Sequence, residues 1–248
     1  MITAASNSRI KRLVQLNQKS KLRRTEDVFL AEGVKMFLEA PREQLQEVYV
    51  SESFLEKCSC REHLEEVGYE VVSDSVFSKI SDTCTPQGVL CVLKQFHYNI
   101  EEMLRDKAPL FLLLENIQDP GNLGTMLRTG EGAGVSGIIM SRDTVDLYNP
   151  KVIRSTMGSI YRVPFYYADD FAAAVHQVQQ AGVSVYAAHL RGKNSYACQD
   201  YTKGTAFLIG NEGNGLREET AELADCYIRI PMEGKVESLN AAVASSIL

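Results

Sequence analysis

The sequence predicts an α/β protein of two domains, and three observations predict it. Short apolar runs alternate with stretches of helical spacing along most of the chain, the pattern of strands joined through helices into a largely parallel sheet. A polar, charged stretch at 98–109 interrupts the alternation and separates a smaller unit, residues 1–100, from a larger one, residues 108–248. Beyond that break, apolar runs end in glycine-rich turns and resume as helices, which is where open α/β sheets hold ligands.

In the first unit, Ile10, Leu13, Val14 and Leu16 stand at helical spacing within residues 6–24. Residues 29–31 read as a strand and 33–40 as a helix stopped by Pro41. Strands at 48–50 and 71–72 flank the helix Arg61–Val67, which Gly68 ends, and 87–93 reads as a further strand. The second unit opens on the strand Leu110–Leu114. Then come a helix at 122–130, a strand at 137–140, a helix at 171–181 and strands at 183–187 and 206–209. A helix from Leu216, a strand at 227–230 and a final helix from Leu239 complete the pattern. No cap or glycine closes that last helix by Leu248, so it is expected to continue past this residue.

Composition excludes several classes. With 45% hydrophobic and 23% charged residues, the chain is an ordinary globular one. No apolar run approaches the ~20 residues of a membrane span, and no secretory leader is visible, so a cytoplasmic protein is expected. Of six cysteines only Cys58 and Cys60 lie close together, without the second ligand pair of a zinc site. They are expected to be reduced thiols, and no metal is expected. The net charge of −6 argues against a surface that coats nucleic acid. Seven basic residues (Arg9, Lys11, Arg12, Lys19, Lys21, Arg23, Arg24) precede the first acidic one, Glu26, and without them the chain stands at −13. A basic arm on an acidic body can grip phosphates locally, although a solvated helix face would look the same.

Gly132, Gly134 and Gly137 spell the dinucleotide fingerprint G-x-G-x-x-G, but a helix precedes them and a strand follows, the reverse of what that motif requires. A phosphate-binding P-loop is absent. Three other segments carry more. The first is Asp119-Pro-Gly-Asn122-Leu-Gly-Thr-Met-Leu-Arg128-Thr129, in which an apolar strand ends in a turn and Asn122 stands where a helix cap would. The second is Phe207-Leu-Ile-Gly210-Asn-Glu212-Gly213-Asn-Gly215-Leu-Arg217, again strand, tight turn and helix, with a carboxylate set in the turn. The third is Ile228-Arg-Ile230-Pro-Met232-Glu-Gly-Lys-Val-Glu-Ser238-Leu239-Asn240, in which Ser238 is a reasonable cap for the last helix. Taken singly, caps and glycine turns explain each of them.

In this order and spacing the segments resemble the three signature motifs of the SpoU/TrmH family of SPOUT RNA ribose methyltransferases. Phe29-Leu-Ala-Glu-Gly-Val-Lys35 and Thr85-Pro-Gln-Gly-Val-Leu90 resemble the substrate-binding domain of that family, so the likeness spans nearly the whole chain. The resemblance implies a C-terminal parallel sheet closed by a deep trefoil knot, an exception to the rule that chains do not thread loops. It also implies a small N-terminal α/β domain like that of kink-turn-binding ribosomal proteins, and a homodimer. The implied cofactor is S-adenosylmethionine, held by Gly210, Glu212, Ile230, Met232 and Leu239. The implied reaction is methylation of a ribose 2′-oxygen in structured RNA, ribosomal before transfer RNA, with Arg128, Asn122, Glu212, Ser238 and Asn240 as catalytic residues. A guanidinium stays protonated, so Arg128 reads as an electrostatic partner of phosphate or developing alkoxide rather than as a base. RNA contacts are expected from Arg9, Lys11, Arg12, Lys21, Arg23, Arg24 and Arg154. A non-catalytic RNA-binding or assembly factor on the same fold is the alternative, and a nucleotide-dependent oxidoreductase is a weaker one.

Overall fold

The computed structural model describes residues 1–248, which form two compact units, Met1–Phe96 with Asp146–Tyr161, and His97–Val145 with Arg162–Leu248.

In the first unit the helices α1 (Ser8–Gln18) and α2 (Ser20–Glu26) lead into β1 (Val28–Glu32), α3 (Val34–Leu38), β2 (Leu45–Ser51), α4 (Glu52–Lys57) and α5 (Arg61–Val67). These are followed by β3 (Glu70–Val72), α6 (Asp74–Ile80) and β4 (Val89–Lys94). The strands are ordered β1-β4-β2-β3, with β4 antiparallel to both neighbours and β2 parallel to β3. The helix expected across 6–24 is broken in two, because Lys19 is extended (φ −119°, ψ 104°) and caps the second piece. Asn7 caps α1, which buries Ile10, Leu13 and Leu16 with Val76, Phe77 and Ile80 of α6 in one apolar core. The helices α4 and α6 were not legible as periodic stretches. Asp146–Tyr161 lies within the stretch expected to belong wholly to the second domain. It carries α9 (Pro150–Thr156), which packs on β1. The Tyr148 hydroxyl accepts from the Phe96 N–H at 2.6 Å and donates to its carbonyl at 3.0 Å, and the Tyr161 hydroxyl donates to the Met36 carbonyl at 2.9 Å.

The second unit contains α7 (Ile100–Met103), β5 (Leu110–Leu114), α8 (Pro120–Ala133), β6 (Gly137–Ser141), β7 (Phe165–Ala168) and α10 (Phe171–Gln180). It continues through β8 (Ser184–Ala188), β9 (Asn194–Ser195), β10 (Thr205–Ile209), α11 (Glu218–Ala221), β11 (Cys226–Arg229) and α12 (Ala241–Ile247). Its strands form one parallel sheet ordered β7-β6-β5-β10-β8-β11-β9. Burial on both faces explains why β5 and β10 read as continuous apolar runs rather than as alternation. α7 and α10 add Ile100, Met103, Val175 and Val178 to Phe111, Leu113, Ile139, Val185 and Leu208 of the strands, while α8 and α12 pack on each other. Leu114 pairs with Ile209, so the turns leaving β5 and β10 lie side by side on one edge. Gly134, at φ +73°, closes α8 in the left-handed conformation, so the G-x-G-x-x-G string is a helix stop and not a dinucleotide turn.

Candidate active site

At the end of β5 the backbone turns through Asn116, a non-glycine residue at φ +54°. Its N–H donates to the Ser141 hydroxyl (2.8 Å), and its carbonyl accepts from the Asn211 amide (2.8 Å). Asp119 then caps α8 by accepting from the Asn122 N–H at 2.8 Å, with Pro120 in the first helical turn. The cap is therefore Asp119 and not Asn122. Proline lacks an N–H and suits the opening position, which makes Asn122 the third helical residue and leaves its side chain free to reach sideways. It reaches Glu212.

The Glu212 carboxylate accepts from the N–H groups of Gln118 (3.0 Å) and Asp119 (2.9 Å) and from the Asn122 amide (3.1 Å). The Asn122 side-chain oxygen accepts in turn from the Asn240 amide at 3.1 Å. Asn240, not Ser238, caps α12, accepting from the N–H groups of Ala242 (2.9 Å) and Val243 (3.3 Å). One hydrogen-bonded chain thus joins the three motifs through Glu212, Asn122 and Asn240. Burial pushes the Glu212 carboxyl up, but the Gln118 N–H, the Asn122 amide and the Asp119 N–H outweigh it and hold the group below its ordinary range.

The turn after β10 is built by close approach. A Cβ on Gly210 would sit 2.2 Å from the Gly215 carbonyl carbon and from the Leu216 nitrogen, so no side chain fits there. Asn211 and Gly215 exchange backbone hydrogen bonds (3.0 and 2.9 Å), and Gly215 takes φ +69°. Behind the turn stands Glu115, 1% exposed, which sequence reasoning missed. It accepts from the Arg217 N–H (2.8 Å) and the Thr220 hydroxyl (2.5 Å), fixing the start of α11. The Arg217 guanidinium also bonds Asp143. Burial pushes the Asp143 carboxyl up, yet the Ser141 hydroxyl and Arg217 leave it below the usual range. The available signal was a carboxylate directly after an all-apolar strand.

These turns enclose a cavity of about 320 Å³, walled by 188–190, 209–216, 228–230, Met232 and the α12 face of Ala241 and Ala244. Gly210, Glu212, Ile230, Met232, Ser238 and Leu239 all line it. Ser238 is exposed and makes no side-chain hydrogen bond. His189 lines it too and was not anticipated. Arg128 does not line the cavity; it is exposed on α8 and makes no hydrogen bond or ion pair. No group of three or more His, Cys, Asp or Glu side chains is arranged to hold a metal ion, and no helix is long and apolar enough to cross a membrane.

The residues expected to touch RNA fare unequally within the first unit. Arg23 is 3% exposed, bonded to the Leu16 carbonyl (2.6 Å) and to Asp146 (2.5 Å), and so is withdrawn from the surface. Arg12 pairs with Glu26 (2.6 Å) and Glu47 (2.7 Å), Arg9 with Glu70 (3.2 Å) and Arg154 with Asp82 (3.2 Å). Lys11 and Lys21 are exposed without partners, and Arg24 touches only the Ser20 hydroxyl at 3.5 Å.

A parallel α/β sheet whose strand-end turns converge on one cavity beside a polar chain defines a ligand-binding α/β protein with an enzyme-like site. The chain matches the SpoU rRNA Methylase family over residues 109–248 and the MRM3-like substrate binding domain over residues 7–91. It belongs to the SpoU family. It is 32% identical to the 23S rRNA (guanosine(2553)-2′-O)-methyltransferase RlmP of Bacillus subtilis (strain 168), covering 100% of this chain and 96% of that protein. The AdoMet-bound rRNA methyltransferase of Sinorhizobium meliloti is 30% identical with TM-score 0.84, covering 99% of this chain and 94% of that one. The SpoU methyltransferase AviRb of Streptomyces viridochromogenes, in complex with AdoMet, is 24% identical and shares the fold at TM-score 0.87 over 97% and 95% of the two chains.

Proposed function

We propose that the chain transfers a methyl group from S-adenosylmethionine to a ribose 2′-oxygen of ribosomal RNA. The observation that carries the reading is the cavity under the 210–216 turn, joined at Glu212 to the Asn122–Asn240 chain. Relatives named for 23S rRNA guanosine 2′-O-methylation support the substrate class, and make a guanosine ribose the first target to test.

The residues fit that cofactor. A cavity near 320 Å³ lies at the small end of the range for small-molecule sites, about 300–1,000 Å³. The turn at Gly210 leaves bare backbone for close approach, Ile228, Ile230 and Leu216 supply apolar wall, and the carboxylates of Glu212 and Glu237 border the space where a cationic ligand would lie. Gly210, Glu212, Ile230, Met232 and Leu239 would hold it. When bound, the cofactor supplies the electrophilic methyl carbon.

The protein aligns the ribose oxygen and lowers the cost of its charge. Asn122 has one amide hydrogen engaged by Glu212 and keeps a second for the ribose, in an orientation that Asn240 fixes. Glu212, already accepting from four donors, is a poor proton acceptor, so the hydroxyl proton leaves to a substrate phosphate or to water. Arg128, exposed and without a counter-charge, stabilises that phosphate or the developing alkoxide. Ser238, exposed beside the cavity and without a side-chain hydrogen bond in the protein, contacts the substrate. Lys11, Lys21 and Arg24 contact phosphates directly, whereas Arg9, Arg12 and Arg154 do so on release from their carboxylates.

We further read the first unit as a module that selects RNA by shape, like kink-turn-binding ribosomal proteins. The insertion of β10 between β5 and β8, with α12 returning to α8, supports a trefoil knot. Exposed Val243 and Ile247, one turn apart on α12, support a homodimer, and we place its work in the cytoplasm. Calorimetry with S-adenosylmethionine, S-adenosylhomocysteine and NAD tests the core of the reading, together with mass spectrometry of ribosomal RNA from a deletion strain. Binding of the first two ligands and one missing 2′-O-methyl are expected. Failure of both methionine-derived ligands to bind overturns it, and binding with fully methylated RNA favours the non-catalytic alternative.

A further inference from the structure

His189 follows β8 with its backbone tied at both ends, its N–H to the Ile228 carbonyl at 3.0 Å and its carbonyl to the Gly192 N–H at 2.9 Å. Its ring stacks on Tyr227 of β11, with centroids 5.0 Å apart and planes at 32°. The Arg191 N–H donates to Nδ1 at 3.1 Å, so Nδ1 carries the lone pair. A neutral imidazole must then hold its proton on Nε2. That second nitrogen has no partner within the protein, and His189 is among the residues lining the 320 Å³ cavity. A part-buried ring with fixed pose, fixed tautomer and an unused donor at a cavity wall is prepared for a ligand.

We propose that His189 is a cofactor-binding residue whose Nε2–H donates to an acceptor atom of S-adenosylmethionine. The inference rests on reading this cavity as the cofactor pocket. Charge supports it as well as geometry. Beside the ring stand Tyr227 of β11 and two charges, Arg191 from its own loop and Glu218 of α11, paired with each other at 2.5 Å; Arg229 and Glu237 line the same cavity. Burial, together with the Arg191 cation, holds the imidazole below its ordinary range, against the pull of Glu218. The ring is therefore neutral at pH 7 and adds no positive charge beside a sulfonium. On acidification Nδ1 takes a proton, the Arg191 bond is lost and the wall becomes cationic. A sulfonium ligand is disfavoured by that change more than its uncharged thioether product.

The test is calorimetry on the full chain with S-adenosylmethionine and S-adenosylhomocysteine from pH 8 to about pH 5.5. His189→Phe keeps the stack on Tyr227 and removes the donor, whereas His189→Gln returns an amide N–H near the position of Nε2; melting temperatures confirm that both fold. At pH 7.5 the Phe variant should bind S-adenosylmethionine ~3–10-fold more weakly, the worth of one hydrogen bond, and the Gln variant should recover most of that loss. The ratio of the two dissociation constants, methionine form over homocysteine form, should rise on acidification in the wild type alone. Equal affinity of wild type and His189→Phe, or one pH course of the ratio in both, overturns the role of His189. Absence of binding by the wild type overturns instead the reading of the cavity.

Discussion

The basic arm of the first unit and the single Arg128 of the second show opposite uses of positive charge. Around the arm, the acidic excess of the rest of the chain has supplied partners: Glu26 and Glu47 hold Arg12, Glu70 holds Arg9, and Arg23 is buried against Asp146. On α8 nothing reaches Arg128. A cation already facing a carboxylate must give it up to take a phosphate, and an exposed one that faces nothing need not. Counting charge along a sequence locates cations, but the distance to the nearest carboxylate decides which of them remain available for a ligand.

The comparison breaks first at Arg128. Arg128→Ala should lower single-turnover methyl transfer by about 10²–10³-fold, the usual consequence of losing one donor to developing charge. Affinity for S-adenosylmethionine should stay within about threefold, because Arg128 does not line the cavity. Near-normal turnover would remove it from the mechanism. Arg23 should behave in the reverse way. Arg23→Met leaves Asp146, 29% exposed, without its cation and leaves the Leu16 carbonyl without its donor, at a cost of about 3 kcal/mol. Denaturant titration reads this as a lower midpoint with an unchanged slope. A stability within about 0.5 kcal/mol of wild type would show that the buried pair is dispensable.

Legibility followed burial and chain order. β5 was readable residue for residue because a strand covered on both faces has no polar positions to blur its ends. The grouping of Asn122, Glu212 and Asn240 was readable from their succession on strand-to-helix turns. Their local roles were not. Pro120 moved the cap of α8 back to Asp119, and Asn240 took the cap that Ser238 could equally have filled. α4 and α6 are as short as α5 but lack the glycine stop, Gly68, that marked α5, and α4 buries no residue whose spacing could show a period. The return of Asp146–Tyr161 to the first unit is held by Tyr148 and Tyr161, whose partners lie some fifty and more than a hundred residues away in sequence. Glu115 and His189 sit at strand ends, where a polar residue reads as the end of a strand; only the fold shows that one braces the turn after β10 and the other lines the cavity.

The smallest effects come from changing how many cations of the arm are available. Each phosphate contact adds about 0.7–0.9 to the slope of log affinity against log salt. Neutralising Lys11, Lys21 and Arg24, the arm residues without a carboxylate partner, should flatten the slope for RNA by about two units at that rate. Glu70→Gln should work in the opposite direction. Glu70 holds Arg9 at 3.2 Å and the N-terminal ammonium at 3.5 Å, and Arg9 is 61% exposed, so cutting the pair releases a cation that already faces solvent. An exposed pair contributes roughly 0–1 kcal/mol, so folding should hardly change. The released Arg9 should steepen the salt slope by at most about one unit and tighten RNA binding about two- to threefold at low salt. Filter binding across 50–200 mM salt measures both variants. A Glu70→Gln slope equal to wild type would mean that Arg9 never faces the RNA, and that pairing with Glu70 is its whole role.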